Sequence, residues 1–343
     1  MSCLAQPDKR SLLKRNDIRA LADEAYQILD ESDCNVAVLR AMQVLENAPK
    51  DVDSYLLLAE VAEEKDRFDH ALNWLNQGLA LNLDDEALLL KKAAILLDGF
   101  EDVDEAFPIL CALEQRFSGK SIRELKDSYD EELVLDVYLL LTDCYRLQGD
   151  YQQAFNNALI AKEIAVDDES ALLAIATAHF ELGDYTKALS LVEPIDKRQE
   201  MSDFYWLKAQ IKCAMGDFAQ ADEAFISANK VDRSRYHRPL RTSQSCFFAA
   251  FEQASLALPR EIRDFMNTAA IEIKEIVPLE WVKESKGTLS PLALIHVPTS
   301  TKSGSKTIFL FHKNIENLAL KKSEVRDLIA SALLHELGKL MLL

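Results

Sequence analysis

The tetrapeptide Tyr151-Gln152-Gln153-Ala154 returns as Tyr185-Thr186-Lys187-Ala188 and again as Phe218-Ala219-Gln220-Ala221. The closing alanines stand 34 and 33 residues apart, and Gly149, Gly183 and Gly216 each precede one of them by the same offset. A period of this length is the mark of stacked helical hairpins: one hairpin cannot bury its apolar face alone, and its neighbours complete the core. Such a stack has a long concave surface suited to holding another protein. Nine glycines and nine prolines in 343 residues agree with a mostly helical chain.

The clearest unit is 135–168. Tyr138, Leu141 and Tyr145 recur at three- and four-residue spacing on a first helix, and Gly149-Asp150 makes a turn. Ala154, Ala158 and Ala161 line a second helix, where larger side chains would overpack the crossing. Units 169–201 and 202–235 repeat this pattern, and unit 52–85 does so with Tyr55, Leu58, Ala59, Ala71 and Leu75. Unit 18–51 ends on Pro49, and unit 86–117 carries an extra residue in its turn. The polar stretch Ser118–Glu132 interrupts the array and is expected to form an extended helix or a loop. The pattern resembles the tetratricopeptide repeat. That resemblance implies a right-handed α-solenoid of about six hairpins over 18–240, after an N-terminal extension at 1–17.

Aligning the units on their alanines yields two columns on the first helix of each hairpin. One reads Ala22, Leu56, Leu90, Leu139, Leu173 and Trp206; its neighbour reads Tyr26, Glu60, Ala94, Asp143, Thr177 and Gln210. The resemblance implies that these columns face the groove, with Leu56, Glu60, Leu90, Leu139, Asp143, Leu173, Thr177, Trp206 and Gln210 as partner-binding candidates. The Lys, Asn and Arg set with which some family members clamp a partner's terminal carboxylate is absent from these columns. The apolar ribbon suits an apolar helix or strand ringed by basic residues. The same leucines also suit packing between repeats, although a bare apolar strip is unusual on a monomer.

Charge narrows the partners. Residues 1–240 carry 26 Lys and Arg against 46 Asp and Glu, whereas residues 241–343 carry 13 against 11. An acidic solenoid repels nucleic-acid phosphates and anionic lipid surfaces, so neither is an expected partner. No apolar run is long enough to cross a bilayer, and Met1–Pro7 lacks the order of a signal peptide, so a cytoplasmic location is expected. The six cysteines are scattered without a C-x-x-C pair and read as reduced thiols packed in helices.

Arg233–Arg241 holds four arginines in nine residues, and Pro239 stops a helix there. A linker is expected at 241–246. The basic stretch is either exposed or docked on the acidic solenoid, fixing a domain angle.

From 247 the pattern changes. A helix over Phe247–Leu258 is followed by Pro259 and a helical stretch with Ile262, Phe265 and Met266. Ile271–Val277 alternates as a strand, and Pro291–Pro298 and Lys306–His312 flank the turn-forming Thr299–Ser305 as a hairpin. A last helix starts near Ser323 and carries Val325, Leu328, Ile329, Ala332, Leu333, Leu337 and Leu340. Residues 247–343 are therefore a small α+β domain. With Ala257–Glu261, Thr307–Phe311 and Ala332–Gly338, this order resembles the minimal-zincin metallopeptidase-like domain.

Members of that family hold zinc with two histidines four residues apart on one helix face, and the glutamate between takes a proton from bound water. His335 matches the first metal ligand and Glu336 the catalytic base. Lys339 stands where the second histidine belongs, Leu342 replaces a glycine, and no downstream ligand follows before Leu343. Catalytic zinc needs three protein ligands, and an ammonium repels a cation. His296 and His312, one on each hairpin run, would have to approach His335 to complete a site.

The expected function is a protein-interaction scaffold whose groove binds a partner protein or peptide. Its zincin-like domain, 247–343, is expected to be inactive, to need no cofactor and to have the option of docking on the solenoid. The alternative is a zinc-dependent metallopeptidase with repeats that recruit substrate. A third reading pairs the apolar ribbon with a second copy.

Overall fold

The computed structural model describes residues 34–194, 201–298 and 307–341. The N-terminal extension, the columns' first members Ala22 and Tyr26, the loop Thr299–Ser305 and the final Leu342-Leu343 lie outside the described residues. The chain divides between Gln148 and Gly149 into two compact units.

The first unit is helical. Helices α1 (Cys34–Asn47), α2 (Val52–Glu63), α3 (Phe68–Leu81), α4 (Glu86–Phe100), α5 (Val103–Phe117), α6 (Ile122–Ser128) and α7 (Glu131–Leu147) follow one another with short turns. α2 packs on α3 and α4 on α5 as hairpins, and α7 packs on both α4 and α5. The interrupting segment is the short helix α6. Ser121 and Glu124 close it with a reciprocal capping box, and Leu125 is buried beneath it.

The second unit opens with α8 (Tyr151–Ile164), α9 (Glu169–Glu181), α10 (Tyr185–Val192), α11 (Ser202–Ala214) and α12 (Phe218–Val231). The same local rules shape the hairpins of both units. The residue five before each aligned alanine has positive φ: 54° at Asp66, 52° at Glu101, 78° at Gly149 and Gly183, and 82° at Gly216. A left-handed residue lets the chain turn back after the first helix, and glycine adopts it without a Cβ clash. Ala71, Ala106, Ala154, Ala188 and Ala221 are all fully buried. Asp51, Asp85, Asp102, Asp130, Asp150, Asp168 and Asp217 each cap a helix N-terminus by accepting a backbone N–H. Part of the solenoid's acidity is therefore cap chemistry.

The rest of the second unit is α+β. It comprises α13 (Gln244–Ala257), α14 (Arg260–Met266), β1 (Ala270–Lys274), α15 (Leu279–Glu284), β2 (Ile295–His296), β3 (Thr307–Phe311), α16 (His312–Leu318) and α17 (Lys322–Met341). The sheet order is β1-β3-β2. β2 and β3 form the expected antiparallel pair, Ile295 opposite Leu310, and β1 runs parallel to β3 from Ala270–Thr307 to Lys274–Phe311. One sheet face packs Ile308 and Leu310 against Phe247 and Phe251 of α13 and Ile329, Leu333 and Leu337 of α17. The other packs Phe309 and Phe311 against Val282 and Trp281 of α15.

Five details differ from the sequence reading. β1 ends at Lys274 rather than at Val277, and β2 takes only Ile295–His296 of the run Pro291–Pro298. Ser243 caps α13, so that helix starts at Gln244 rather than at 247. His312 does not end a strand but begins α16. The basic stretch lies against the hairpins while Arg233, Arg235 and Arg238 stay exposed: Arg235 pairs with Asp203, Arg238 donates to Asn229 at 3.2 Å, and the half-buried Arg241 clamps Asp222.

Candidate functional site

In the first unit, helices α2, α4 and α7 line one groove of about 710 Å³. Leu56 and Glu60 come from α2, Leu90 from α4 and Leu139 from α7, so four of the candidate residues meet on this surface. Leu56 and Leu139 are half-buried, whereas Leu90 is 9 % exposed and also belongs to the packed interior. Asp143, one turn along α7 from Leu139, is exposed, accepts from Arg146 at 3.0 Å and does not line the groove.

The remaining lining includes Ala94 and Lys91 of α4 and Asp130, Glu132, Leu133, Asp136 and Leu140. Leu133, Asp136 and Leu140 stand at three- and four-residue spacing from one another on α7 and lie outside the aligned columns. Asp130 and Glu132 belong to the stretch read as an interruption, which instead delivers the head of α7 to the groove. The lining carries four carboxylates, Glu60, Asp130, Glu132 and Asp136, against the single ammonium of Lys91. That ammonium lies 2.6 Å from Glu63. The surface therefore combines a leucine floor with a negative field.

The second unit treats the same columns differently. Leu173 and Thr177 on α9 and Trp206 and Gln210 on α11 are half-buried. The Trp206 ring is packed by Phe225 at 4.7 Å, Tyr236 at 4.9 Å and His237 at 5.5 Å, the last two from the basic stretch. Leu173 packs on a core of Phe180, Phe204 and Leu207 that Leu292 also joins.

The α+β part is docked on the hairpins of its own unit. Ser290 donates to the buried Glu181 at 2.9 Å. A Cβ placed on Gly183 would stand 3.2–3.3 Å from Leu279, Val282 and Lys283. Asn317 donates to Cys213 Sγ at 3.4 Å. At the centre lies Glu316, fully buried, which accepts from Thr242, from His312 Nε2 at 3.0 Å and from Lys313 at 2.9 Å. Burial would push its carboxyl up, but the hydrogen bonds from His312, Lys313 and Thr242 hold it at about 2. Arg241 reaches both Glu316, at 3.6 Å, and Asp222 of α12.

His335 and Glu336 lie side by side on α17, their side chains 65 % and 37 % exposed and 3.2 Å apart. Lys339 Nζ stands 3.5 Å from the same Glu336 carboxylate. His312 is committed to Glu316. Burial lowers the His296 imidazole, and the Glu336 carboxylate partly opposes that shift. Among the described residues no group of three His, Cys, Asp or Glu is placed to hold a metal ion. One exposed imidazole beside a carboxylate that is itself engaged by Lys339 does not fit zinc.

The fold has clear counterparts. The chain is similar to a tetratricopeptide repeat protein from Parabacteroides merdae, at 15 % identity and TM-score 0.50 over 66 % of this chain and 83 % of that one. It is similar to PilF of Pseudomonas aeruginosa, at 15 % identity and TM-score 0.50 over 63 % and 92 %. It is also similar to PilW, described as a widely conserved type IV pilus biogenesis factor, at 15 % identity and TM-score 0.54 over 66 % and 97 %. The helical hairpins thus have the fold of tetratricopeptide repeats. No family model and no curated protein matches the chain. Among the described residues no helix is long and apolar enough to cross a membrane.

Proposed function

We propose that this chain is a protein-interaction scaffold whose first-unit groove takes an apolar segment ringed by basic residues. The observation that carries this reading is the groove itself, with Leu56, Leu90 and Leu139 beneath four carboxylates and one already paired ammonium. Apolar contact supplies affinity there, and the negative field selects the partner's charge. The test is to titrate the full chain with a fluorescent amphipathic peptide of leucine and lysine. The reading expects saturable binding that weakens with salt, and affinity reduced about tenfold or more by Leu139→Asp or Glu60→Lys. Binding indifferent to both substitutions contradicts it.

The α+β part is assigned as a zincin-like module without catalysis, serving to cover the last hairpins. Lys339 in place of the second histidine, engaged with the carboxylate of Glu336, supports this assignment. After chelator stripping and re-metallation, the chain is expected to hold no stoichiometric zinc, and Lys339→His is the comparison. One zinc per chain, lost on His335→Ala, points instead to a metallopeptidase.

A further inference from the structure

β1 is an outer strand, and among the described residues nothing pairs with its second side. Exposed strand edges are usually blunted by proline, a bulge, a covering element or charged side chains; the two charges of β1, Glu272 and Lys274, are of opposite sign. Ala270–Lys274 contains no proline and keeps unbroken register with β3. Ile271 and Ile273 pack against the core that α13 and α17 line and are half-buried. Beside Ile271 opens a cavity of about 720 Å³, with Phe251, Leu256 and Met266 in its lining. On the opposite face Glu272 and Lys274 stand 3.8 Å apart.

We propose that β1 pairs with the β1 of a second copy of this chain, antiparallel, about a two-fold axis through Ile273. Peptide groups along a strand point alternately to one neighbour and the other. Two-fold antiparallel pairing therefore passes its axis through a residue, since an axis between residues sets an outward group against an inward one. An axis through Glu272 opposes that carboxylate to its own copy, and one through Lys274 opposes two ammoniums; like charges directly opposite are destabilising. An axis through Ile271 leaves both charges facing uncharged residues, Ala270 and Thr268. The axis through Ile273 sets Glu272 against the second copy's Lys274 twice, with Ile273 against Ile273 on the apolar face. Over Glu272–Lys274 the strand is complementary to itself, while Ile271 faces Glu275 just beyond β1, and this self-matching charge pair selects a second copy over an unrelated peptide. The product is an isologous six-stranded sheet.

The experiment is sedimentation velocity on the full chain across a concentration series, in reducing buffer because Cys246 is exposed. The expected result is a reversible dimer. Glu272→Lys and Lys274→Glu are each expected to weaken it about tenfold, because each turns two attractive cross-strand pairs into two repulsive ones. The double exchange, E272K with K274E, is expected to restore association to within about threefold; because Lys274 also lies over the Trp281 and Phe309 rings at 5.5 Å, the urea midpoint of each variant is read alongside to separate lost pairing from lost folding. A monomer at all concentrations up to about 100 μM overturns the proposal. So does a dimer that neither reversal weakens, or one that the double exchange fails to restore.

Discussion

In the first unit Leu56, Leu90 and Leu139 line an open groove, whereas in the second the matching Trp206 lies against Tyr236 and His237, and Leu173 packs on a core that Leu292 also joins. The repeat units are built alike, with the same left-handed turn, the same buried alanine and often the same aspartate cap. What separates them is supplied from outside the repeats. The second unit carries its own cover, held by polar contacts around a buried carboxylate. The first unit presents an acidic, leucine-lined groove among its described residues.

The comparison is broken most forcibly at Glu316. Removing one member of a buried charge network leaves the others uncompensated, at a cost of about 3–5 kcal/mol. Glu316→Gln is therefore expected to destabilise the second unit by about 3 kcal/mol in urea unfolding while leaving peptide affinity in the first-unit groove unchanged. Loss of both together would mean that the two units are not separable in this way. The same carboxyl sets a pH dependence. Its folded pKa, about 2, lies below the ordinary glutamate value of 4.5. Its contribution is thus fully present above the ordinary value and is lost as pH falls from about 4.5 through about 2, on the order of 3 kcal/mol in all. Wild type is expected to lose stability over that window more steeply than Glu316→Gln, measured by urea unfolding at a series of pH values.

Gly183 and Gly149 sharpen the comparison at smaller cost. Both have a φ of 78°, but a Cβ meets Leu279, Val282 and Lys283 at Gly183 and nothing within 4 Å at Gly149. Gly149→Ala is expected to cost about 1 kcal/mol, from backbone strain alone. Gly183→Ala is expected to cost about 2 kcal/mol, the excess coming from contact with α15. Equal melting shifts would argue against the cover as described. The smallest effect runs the other way. Asp66 occupies the same left-handed position in the first unit without being glycine, so Asp66→Gly is expected to stabilise by up to about 1 kcal/mol. An unchanged or lower melting temperature would count against this account of the turn.

Much of the solenoid was legible because its signals are local. The alanine at the helix crossing and the residue five before it recur whatever the chain does elsewhere. The antiparallel β2–β3 pair and the last helix also followed from alternation and helical spacing. The parallel β1–β3 pair did not, because a crossover connection leaves no turn signature. α15 and α16, at six and seven residues, are too short for apolar periodicity to show. The groove was half legible. Leu56, Glu60, Leu90 and Leu139 fell on the aligned columns, but Asp130, Glu132 and Asp136 lie outside the columns and enter through the packing of α7 on α4. The cover over Trp206 entered the sequence reading only as one of two alternatives for the basic stretch. It depends on Tyr236 and His237 of the basic stretch, whose ring contacts with Trp206 no local pattern shows, and on Glu316, whose isolated carboxylate resembles any surface glutamate until folding buries it.

The most direct measurement is amide hydrogen exchange on the full chain with and without the leucine–lysine peptide. The account predicts added protection in α2, α4 and α7, with α9 and α11 unchanged. Protection confined to α9 and α11, or spread evenly over every helix, would contradict it.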